Sequence, residues 1–317
     1  MTRSMETDIE FSERAERHRR ELHVHCYRML GSFDEAEDAV QEVMLQAWRR
    51  RADLERPEHL RAWLYKIATN RCLDHLRSNQ RRVATLSSFK DVPWLEPYPD
   101  RLLAEAAPAE AEPDAAVVAT ETIGLAFLAV LQLLPARQRA ALVLRDVLGW
   151  PAAEVAELLE LSVPAVNSAL QRARATLRSA LPVDEREDWE HDRRAAVDAD
   201  VLARYISAYE SGDVDATLAL LADDIRVTMP PAPYLFEGRD TVRGLAVRAR
   251  EFGEWRLVPT RANAQPAAAC YLRTAGETEF RAYKIDVLDL ADNGTIRAIT
   301  TFGVKHFEAF GLPAVLP

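Results

Sequence analysis

The sequence contains few cysteines and no long apolar stretch. Its 317 residues include only Cys26, Cys72 and Cys270, whose wide spacing fits neither a disulfide framework nor a metal site. No apolar run reaches the ~18–20 residues that a membrane span needs, and the N-terminal residues lack the apolar core of a signal peptide. We therefore expect a cytosolic chain with reduced cysteines, no bound metal and no cofactor.

A net positive charge is also missing, since the formal charge of the chain is −10. The charge is unevenly distributed: residues 11–90 carry +4 and residues 136–182 carry +2, whereas residues 91–135 and 183–317 carry −7 each. Attraction to phosphates can therefore be local, although the whole chain repels DNA at long range. We expect the isolated chain to bind DNA weakly.

Residues 150–178 have the pattern of a helix-turn-helix. The first helix is predicted to bury Ala153, Ala156 and Leu159, or their neighbours, at helical spacing, and Ser162 is placed to cap the second helix. The second helix has an inward stripe made of Val166, Leu170, Ala173 and Leu177. Its opposite face carries side chains that hydrogen-bond bases and phosphates, namely Asn167, Ser168, Gln171, Arg172 and Arg174. The alternative is an amphipathic hairpin whose basic face is only solvated.

A second amphipathic helix is predicted from Ser32 to about Arg50. Ser32 and Glu35 form a capping box, and an inward stripe contains Ala36, Val40, Val43 and Ala47. The opposite face mixes carboxylates and an amide with two large apolar side chains, namely Asp38, Gln41, Glu42, Leu45 and Trp48. This mixture favours a protein-docking surface, and the alternative is a helix buried on two sides within its own domain.

A third helix is predicted over His59–Arg82. Its inward side holds Leu64, Ala68, Cys72 and His75, and its other side holds Lys66, Asn70 and Arg77, with Trp63 and Asp74 at the edge. Aromatic, cationic and amide groups together suit single-stranded nucleic acid, because rings stack on exposed bases. The alternative for Trp63 is an ordinary core position. Arg81 and Arg82 extend the basic face and are predicted to hold backbone phosphates.

Three segments in this order resemble one known family. They read DEAEDAVQEVMLQAWRR at 34–50, RAWLYKIATNRCLDHLRS at 61–78 and LPARQRAALVLRDVLGWPAAEVAELLELSVPAVNSALQRARATLR at 134–178. Their order and spacing are similar to the two conserved domains of bacterial extracytoplasmic-function sigma factors. The resemblance covers residues 12–182 and implies an RNA polymerase subunit that recognises promoters at two places.

The resemblance also implies roles for individual residues. The helix at 34–50 would dock on the clamp of the largest catalytic subunit of core RNA polymerase through Asp38, Gln41, Glu42, Leu45 and Trp48. The helix at 61–78, with the loop before it at about 53–60, would capture the opened minus-ten strand through Trp63, Lys66, Asn70, Arg71 and Arg77. The helix-turn-helix would recognise the minus-thirty-five duplex through Pro164, Ala165, Asn167, Ser168, Gln171, Arg172 and Arg174. The turn lacks the glycine that many relatives have, which makes its geometry less certain.

Residues 83–122 form an acidic linker rich in alanine and proline between the two helical domains, 12–82 and 123–182. The composition, as in AEAAPAEAEPD at 104–114, is typical of a flexible tether. VPWLEPYPD at 92–100 places two aromatics among prolines, which would instead anchor the tether on another domain. The sequence leaves both alternatives open.

The segment 195–317 reads as two helices, the second reaching Asp223, then a short strand, another helix from Asp240 and a run of strands. A tight hairpin turn at 292–294 joins the last two strands. This order resembles the SnoaL-like domains, which are α+β cones. The polar residues of a cone interior would come from Tyr209, Asp224, Tyr234, Tyr271, Tyr283 and His306. No pairing of these residues indicates a catalytic acid or base, so no catalytic residue is assigned.

The predicted fold is therefore multidomain, with two all-α sigma domains, the second containing the helix-turn-helix, and an α+β cone-shaped SnoaL-like domain. The predicted function is that of a non-enzymatic sigma factor whose partners are core RNA polymerase and promoter DNA, with the C-terminal domain regulating it in cis. The alternative is a sigma portion that carries a ligand-sensing or enzymatic domain, in which case a small molecule would bind the cone. An ordinary helix-turn-helix repressor leaves the helices at 34–78 unexplained.

Overall fold

A computed structural model describes residues 2–54, 56–78, 92–104, 123–180 and 191–317. These residues form two compact units. The first contains the described residues up to 78 and from 102 to 180, and the second contains Val92–Arg101 and residues 191–317. Among the described residues, no helix combines the length and the hydropathy of a membrane span.

The first unit is built from helices. Its N-terminal half contains α1 (Thr2–Glu16), α2 (Arg19–Leu30), α3 (Phe33–Arg49) and α4 (Leu60–Ser78), with short 3₁₀ turns at Arg51–Asp53 and Pro57–His59. A short helix α5 (Asp100–Ala104) follows, and the C-terminal half contains α6 (Leu125–Leu133), α7 (Ala136–Leu142), a π-helical turn (Val143–Val147), α8 (Ala152–Leu159) and α9 (Val163–Ala180). The predicted continuation of α4 to Arg82 lies outside the described residues.

The first half of this unit follows its sequence pattern closely. The Ser32 hydroxyl caps α3 by accepting a hydrogen bond from the Glu35 backbone N–H at 3.1 Å. The predicted inward stripe of α3 is buried, namely Ala36, Val40, Val43 and Ala47. Before the cap, Gly31 ends α2 with a φ of 76°, a left-handed conformation that favours glycine.

In the helix-turn-helix, the buried face of α8 differs in part from what the sequence predicts, and the structure shows the geometry of the turn. Of the three residues predicted to face inward, Ala156 and Leu159 are buried and Ala153 is exposed; the neighbours Val155 and Leu158 are buried as well. The phase of an eight-residue helix is hard to determine from its sequence because alanine fits either face. The left-handed position in the turn is taken by Glu160, with φ 54° and ψ 48°. A non-glycine residue therefore adopts the conformation for which many relatives use glycine.

The Ser162 hydroxyl accepts a hydrogen bond from the Ala165 backbone N–H at 3.3 Å, as predicted for the cap of α9.

The two halves of the first unit meet at a junction centred on Arg139. This side chain is 1% exposed, and one of its terminal nitrogens donates to the backbone carbonyl of Met29, at the end of α2. It also donates to the Gln132 side chain at 2.5 Å and to the Gln132 and Leu134 carbonyls at 2.9 and 3.2 Å. The halves also meet where the rings of Tyr65 on α4 and Trp150 pack edge to face, with centroids 5.6 Å apart. The junction thus combines a buried cation with an aromatic contact.

Two buried histidines of α2 make the stability of this unit depend on pH. Burial lowers the pKa of His23 from 6.5 to about 4 and that of His25 from 6.5 to about 3. Below pH 6.5 the unfolded chain therefore takes up protons that the folded chain does not, so folding stability decreases as pH falls from 6.5 towards 4.

We expect the free energy of unfolding to be about 2–3 kcal/mol lower at pH 5.5 than at pH 7.5, because each of the two histidines contributes up to about 1.4 kcal/mol over this interval. Urea denaturation at the two pH values measures this difference. His25→Gln removes one titrating ring and should abolish about half of it, whereas His59→Gln, at an exposed ring, should leave it unchanged. A full pH dependence in His25→Gln would contradict the assignment.

The second unit is an α+β domain with one seven-stranded sheet in the order β2-β1-β6-β5-β4-β3, to which β7 adds by pairing with β5. Its helices are α10 (His191–Ser211), α11 (Val214–Ala219) and α12 (Arg239–Glu251). Its strands are β1 (Leu221–Met229), β2 (Ala232–Glu237), β3 (Glu254–Ala262), β4 (Gln265–Arg273), β5 (Phe280–Leu290), β6 (Ile296–Gly303) and β7 (Val315–Leu316). Neighbouring strands are antiparallel except for β1 and β6.

The order of elements in this domain agrees with the prediction, with two differences. The second helix was predicted to reach Asp223 but ends at Ala219, and β1 already begins at Leu221. Strand β2 was not predicted, because its six residues follow two prolines and none of them is buried. The helices cover one side of the sheet, since α10 packs on β3 and β4 and α12 packs on β1 and β2.

Candidate promoter and polymerase interfaces

The predicted polymerase-docking residues form one exposed face of α3. Asp38, Gln41 and Glu42 are all exposed, and the large apolar side chains of Leu45 and Trp48 are 56% and 45% exposed. The guanidinium of Arg51 lies over the Trp48 ring, 4.4 Å from its centroid, and donates to the Trp48 carbonyl at 2.8 Å. Since this face is exposed and only the opposite stripe of α3 is buried, the helix is not buried on two sides. The face offers apolar area for a protein partner.

The predicted minus-ten residues lie on α4. Lys66, Asn70 and Arg77 are exposed. Trp63 is only partly buried and its ring packs edge to face on Phe11, with ring centroids 6.5 Å apart. Arg71 is held in an ion pair by Glu42 of α3. The helix thus presents an amide and cations beside a partly accessible aromatic ring.

Arg61 lies on the same helix and was missed by the sequence analysis. Its guanidinium pairs with Glu21 of α2, with an N···O distance of 2.7 Å, and stacks 5.1 Å from the Tyr65 ring centroid. The Tyr65 hydroxyl donates to the same carboxylate at 3.0 Å. Burial opposes ionisation of Glu21, but hydrogen bonds from His18 and Arg61 lower its pKa below the ordinary value. This network fixes the start of α4 against α2.

The predicted minus-thirty-five surface is displayed by α9. Its outer strip is exposed, namely Pro164, Asn167, Ser168, Gln171, Arg172 and Arg174, and Ala165 is partly exposed. The inward stripe is buried, apart from Leu177, which is partly buried. Arg174 makes a two-pronged ion pair with Asp146 of the π-helical turn, at 2.8 and 2.7 Å. The strip combines amides with cations, as a major-groove helix requires.

The interior of the second unit contains a polar cluster that the sequence analysis missed. Asp286 is fully buried and accepts hydrogen bonds from Tyr205 at 3.0 Å and Thr301 at 2.6 Å. Lys284 Nζ lies 2.7 Å from the same carboxylate and 5.0 Å from the Tyr209 ring centroid. Burial alone would lower the pKa of Lys284, but the charge of Asp286 raises that pKa well above its ordinary value. The alternation Lys284-x-Asp286 on a strand was the available signal, because residues two apart share a face.

The six polar candidates named from the sequence are dispersed across this unit. Tyr209 and Tyr283 flank Trp255, with ring centroids 5.6 and 5.2 Å from it, and burial raises the pKa of Tyr209 to about 12. Asp224 and Tyr234 are exposed. The Tyr271 hydroxyl donates to the Pro313 carbonyl, and His306 is buried in a short 3₁₀ turn. Their positions give no arrangement of a base beside a nucleophile.

Part of the linker belongs to the second unit. Tyr98 is fully buried, its N–H donates to the Asn263 side chain at 2.8 Å, and its carbonyl accepts from the Asn263 N–H at 2.9 Å. Asp100 accepts from the Ala264 N–H at 2.8 Å and lies 3.2 Å from Arg261. Asn263 and Ala264, with φ of 57° and 60°, form the two-residue turn between β3 and β4. Of the two alternatives for residues 92–100, the structure shows the anchored one; the other linker residues, 83–91 and 105–122, lie outside the described chain.

Comparison with known proteins agrees with these features. Three family models match: Sigma-70 region 2 at residues 15–82, Sigma-70 region 4 at 124–177 and a SnoaL-like domain at 202–299. The sigma factor SigG of Mycobacterium tuberculosis is 39% identical over 324 residues, covering 96% of this chain and 84% of SigG. SigJ of the same species is 35% identical over 226 residues, covering 68% of this chain and 66% of SigJ.

The crystal structure of M. tuberculosis SigJ is 25% identical to this chain, with a TM-score of 0.61, and covers 96% of this chain and 99% of that one. The predicted fold is thereby confirmed: two helical sigma domains precede a SnoaL-like α+β domain. SigG is an RNA polymerase sigma factor and SigJ is an extracytoplasmic-function sigma factor. The chain belongs to the extracytoplasmic-function sigma factors, which bind core RNA polymerase and promoter DNA and start transcription.

Proposed function

We propose that this sigma factor reads its promoter with two helices, α4 at the minus-ten strand and α9 at the minus-thirty-five duplex. The exposed strip of α9 is the observation that supports this most directly, because its amides and cations stand opposite a buried stripe. On α4, Lys66, Asn70 and Arg77 would contact the opened strand while Trp63 stacks on a base, and Arg71 would hold a phosphate. The exposed face of α3, around Leu45 and Trp48, would dock on the clamp of the largest polymerase subunit. The protein would act in the cytoplasm with RNA polymerase.

This function requires the first unit to open. In the free chain α4 packs on α7, and α7 packs on α9. Two successive packing distances of about 8–10 Å separate the axes of the reading helices by no more than about 20 Å. The minus-ten and minus-thirty-five elements are separated by about 25 base pairs, or about 85 Å at 3.4 Å per base pair. The packed unit is far too short to contact both, so polymerase binding would separate its halves.

We further propose that the SnoaL-like domain regulates the sigma portion in cis. Residues 92–101 lie in the linker between the two promoter-reading halves, yet they are bonded to the β3–β4 turn of this domain. A tether held at that point has fewer free residues with which to let the halves move apart.

A ligand-sensing or enzymatic role for the domain is the alternative. A small cavity bounded by Tyr209, Gly212, Arg250 and Trp255 would hold the ligand. The polar groups around Asp286, however, are bonded to one another. We therefore favour regulation by contact.

Substitutions on the two reading helices test the bipartite contact. Holoenzyme carrying Arg172→Ala should bind a promoter selected by the wild-type holoenzyme about 5- to 150-fold more weakly and lose upstream footprint protection, as expected for a lost base or phosphate contact. Lys66→Ala should keep the upstream protection but slow strand opening, measured by permanganate reactivity of thymines. Arg137→Ala, at an exposed arginine outside α9, is the control. Upstream protection that survives in Arg172→Ala would refute the proposed role of α9.

A further inference from the structure

Three of the five basic residues proposed to contact DNA are bonded to carboxylates in the free chain. Arg71 pairs with Glu42, whereas Arg77 and Arg174 pair with Asp74 and Asp146 at 3.1 and 2.7 Å. Within the part of the chain that the structure describes, no carboxylate lies within 4 Å of the Lys66 or Arg172 side-chain nitrogens. Promoter contact by the three paired arginines therefore competes with an existing ion pair.

The Glu42–Arg71 pair differs from the other two in what it connects. Asp74 lies on the same helix as Arg77, and Asp146 lies in the turn behind α9. Glu42, in contrast, belongs to the proposed polymerase-docking face of α3, while Arg71 belongs to the proposed minus-ten face of α4. One ion pair thus joins the two surfaces that bind different partners.

We infer that Glu42 couples polymerase docking to capture of the minus-ten strand by exchanging Arg71 for a cation of the polymerase. This inference rests on the proposed function of α3 and α4. In the free chain the Glu42 carboxylate neutralises Arg71 and keeps it from backbone phosphates. When a polymerase lysine or arginine takes the carboxylate, the Arg71 guanidinium is released beside Lys66 and Asn70, where it pairs with a phosphate of the opened strand.

The expected size of this coupling follows from the exposure of the pair. The side chains of Arg71 and Glu42 are 38% and 51% exposed, so water and salt screen their attraction. Releasing Arg71 should therefore raise the affinity for single-stranded DNA about two- to five-fold at low salt. The ratio of the two affinities should approach one at about 0.5 M salt, where charges several ångströms apart are largely screened.

The test uses the full-length chain, a fluorescent thymidine oligonucleotide and about 50 mM salt. Glu42→Gln should bind the oligonucleotide about two- to five-fold more tightly than the wild type. Glu42→Gln combined with Arg71→Gln should bind no more tightly than Arg71→Gln alone, because the released cation is then missing. Glu154→Gln, which removes an exposed carboxylate from α8, controls for the change in net charge. After assembly with core RNA polymerase, the gain from Glu42→Gln should disappear, since Glu42 is already engaged.

The inference is overturned if Glu42→Gln has no effect on the free chain, if the gain persists in the Arg71→Gln background, or if Glu154→Gln gives the same gain. It is also overturned if the gain remains unchanged in the holoenzyme. The proposed function fails separately: an unchanged core-polymerase affinity of Glu42→Gln contradicts its docking role, and unchanged strand opening in Arg71→Gln holoenzyme contradicts its DNA role.

Discussion

Replacing Arg139 by methionine should loosen the junction between the two halves of the first unit. The substitution keeps an unbranched side chain but removes every donor to the carbonyls of Met29, Gln132 and Leu134. A buried carbonyl that loses its partner costs about 1–3 kcal/mol, and this cost is partly offset because methionine, unlike a cation, loses little hydration when it is buried. We expect the free energy of unfolding of the first unit to decrease by about 2–4 kcal/mol.

A second consequence is a larger population of chains in which the halves have separated. Arg139 and Gln132 hold the end of α2 from the opposite half, because Gln132 Nε2 also donates to the Arg28 carbonyl at 3.4 Å. Burial lowers the pKa of Arg139 to about 9, so the residue remains cationic at pH 7. Its hydrogen bond to the Met29 carbonyl links the two halves only while the junction is closed. Without Arg139 the closed state loses this bond, so the separated state becomes more populated.

Urea unfolding and energy transfer between two labels measure these effects. Labels on cysteines introduced at the exposed positions Gln46 and Glu157 report the distance between the halves, and the three native cysteines are buried. Arg145→Met, at an exposed arginine of the neighbouring π-helical turn, is the matched control and should behave like the wild type. An unfolding free energy within about 0.5 kcal/mol of the wild type, with an unchanged label distance, would show that Arg139 does not hold the junction.

Elements that bury one regular face were predictable from the sequence. The stripe of α3 and the alternating burial of β3 agree with the sequence because apolar residues repeat at the spacing of the element itself. Strand β4 was predictable as a continuous apolar run, since it is buried on both faces. Strand β2 lacks that signal, since its side chains are at most partly buried. The inward face of α8 was predicted only in part, since Ala156 and Leu159 are buried but Ala153 is exposed, because alanine carries little information about orientation. Local pattern therefore predicted the elements but not every facing side chain.

Contacts between segments that are distant in the sequence could not be predicted from local sequence periodicity. Nothing near Arg139 in the sequence ARQRA shows that this arginine, unlike Arg137, is buried against the end of α2. Tyr98 and Asn263 are 165 positions apart, so composition left anchoring and free tethering equally open. The carboxylate partners of Arg71 and Arg174 were likewise missed, because each pair forms only when two helical elements pack. Burial of charge is decided by tertiary packing and not by the residues next to it.

Releasing the linker from the SnoaL-like domain should change transcription as much as removing the domain does. Asn263→Gly keeps the positive φ of the β3–β4 turn but removes the side-chain acceptor of the Tyr98 N–H. The N–H is then left unpaired at a buried site, which costs about 1–3 kcal/mol and raises the population of undocked linker by about 5- to 150-fold. Combining it with Asp100→Asn removes the charged acceptor of the Ala264 N–H and of Arg261 as well.

Undocking is measured by trypsin cleavage after Arg101 in the full-length chain, which should accelerate in parallel with the population of undocked linker. Multi-round transcription with core RNA polymerase then reports the functional effect. If the domain acts through the linker, Asn263→Gly with Asp100→Asn should shift promoter-dependent transcription in the same direction as deletion of the residues beyond about 185. Core-polymerase binding should remain intact in both proteins, because the face of α3 is unaltered.

Asn293→Gly is the matched control for this experiment. Asn293 supports another hairpin connection of the same domain, between β5 and β6, where its side chain accepts from the Thr295 N–H at 3.0 Å. The substitution removes a similar hydrogen bond from a turn that does not hold the linker, so cleavage after Arg101 and transcription should both match the wild type. Transcription that stays unchanged in the undocked variant but changes on deletion would mean that the domain acts through another contact. Transcription that is unchanged in both proteins across several promoters would remove the case for regulation in cis, because neither the anchored linker nor the domain that holds it would then affect the sigma portion.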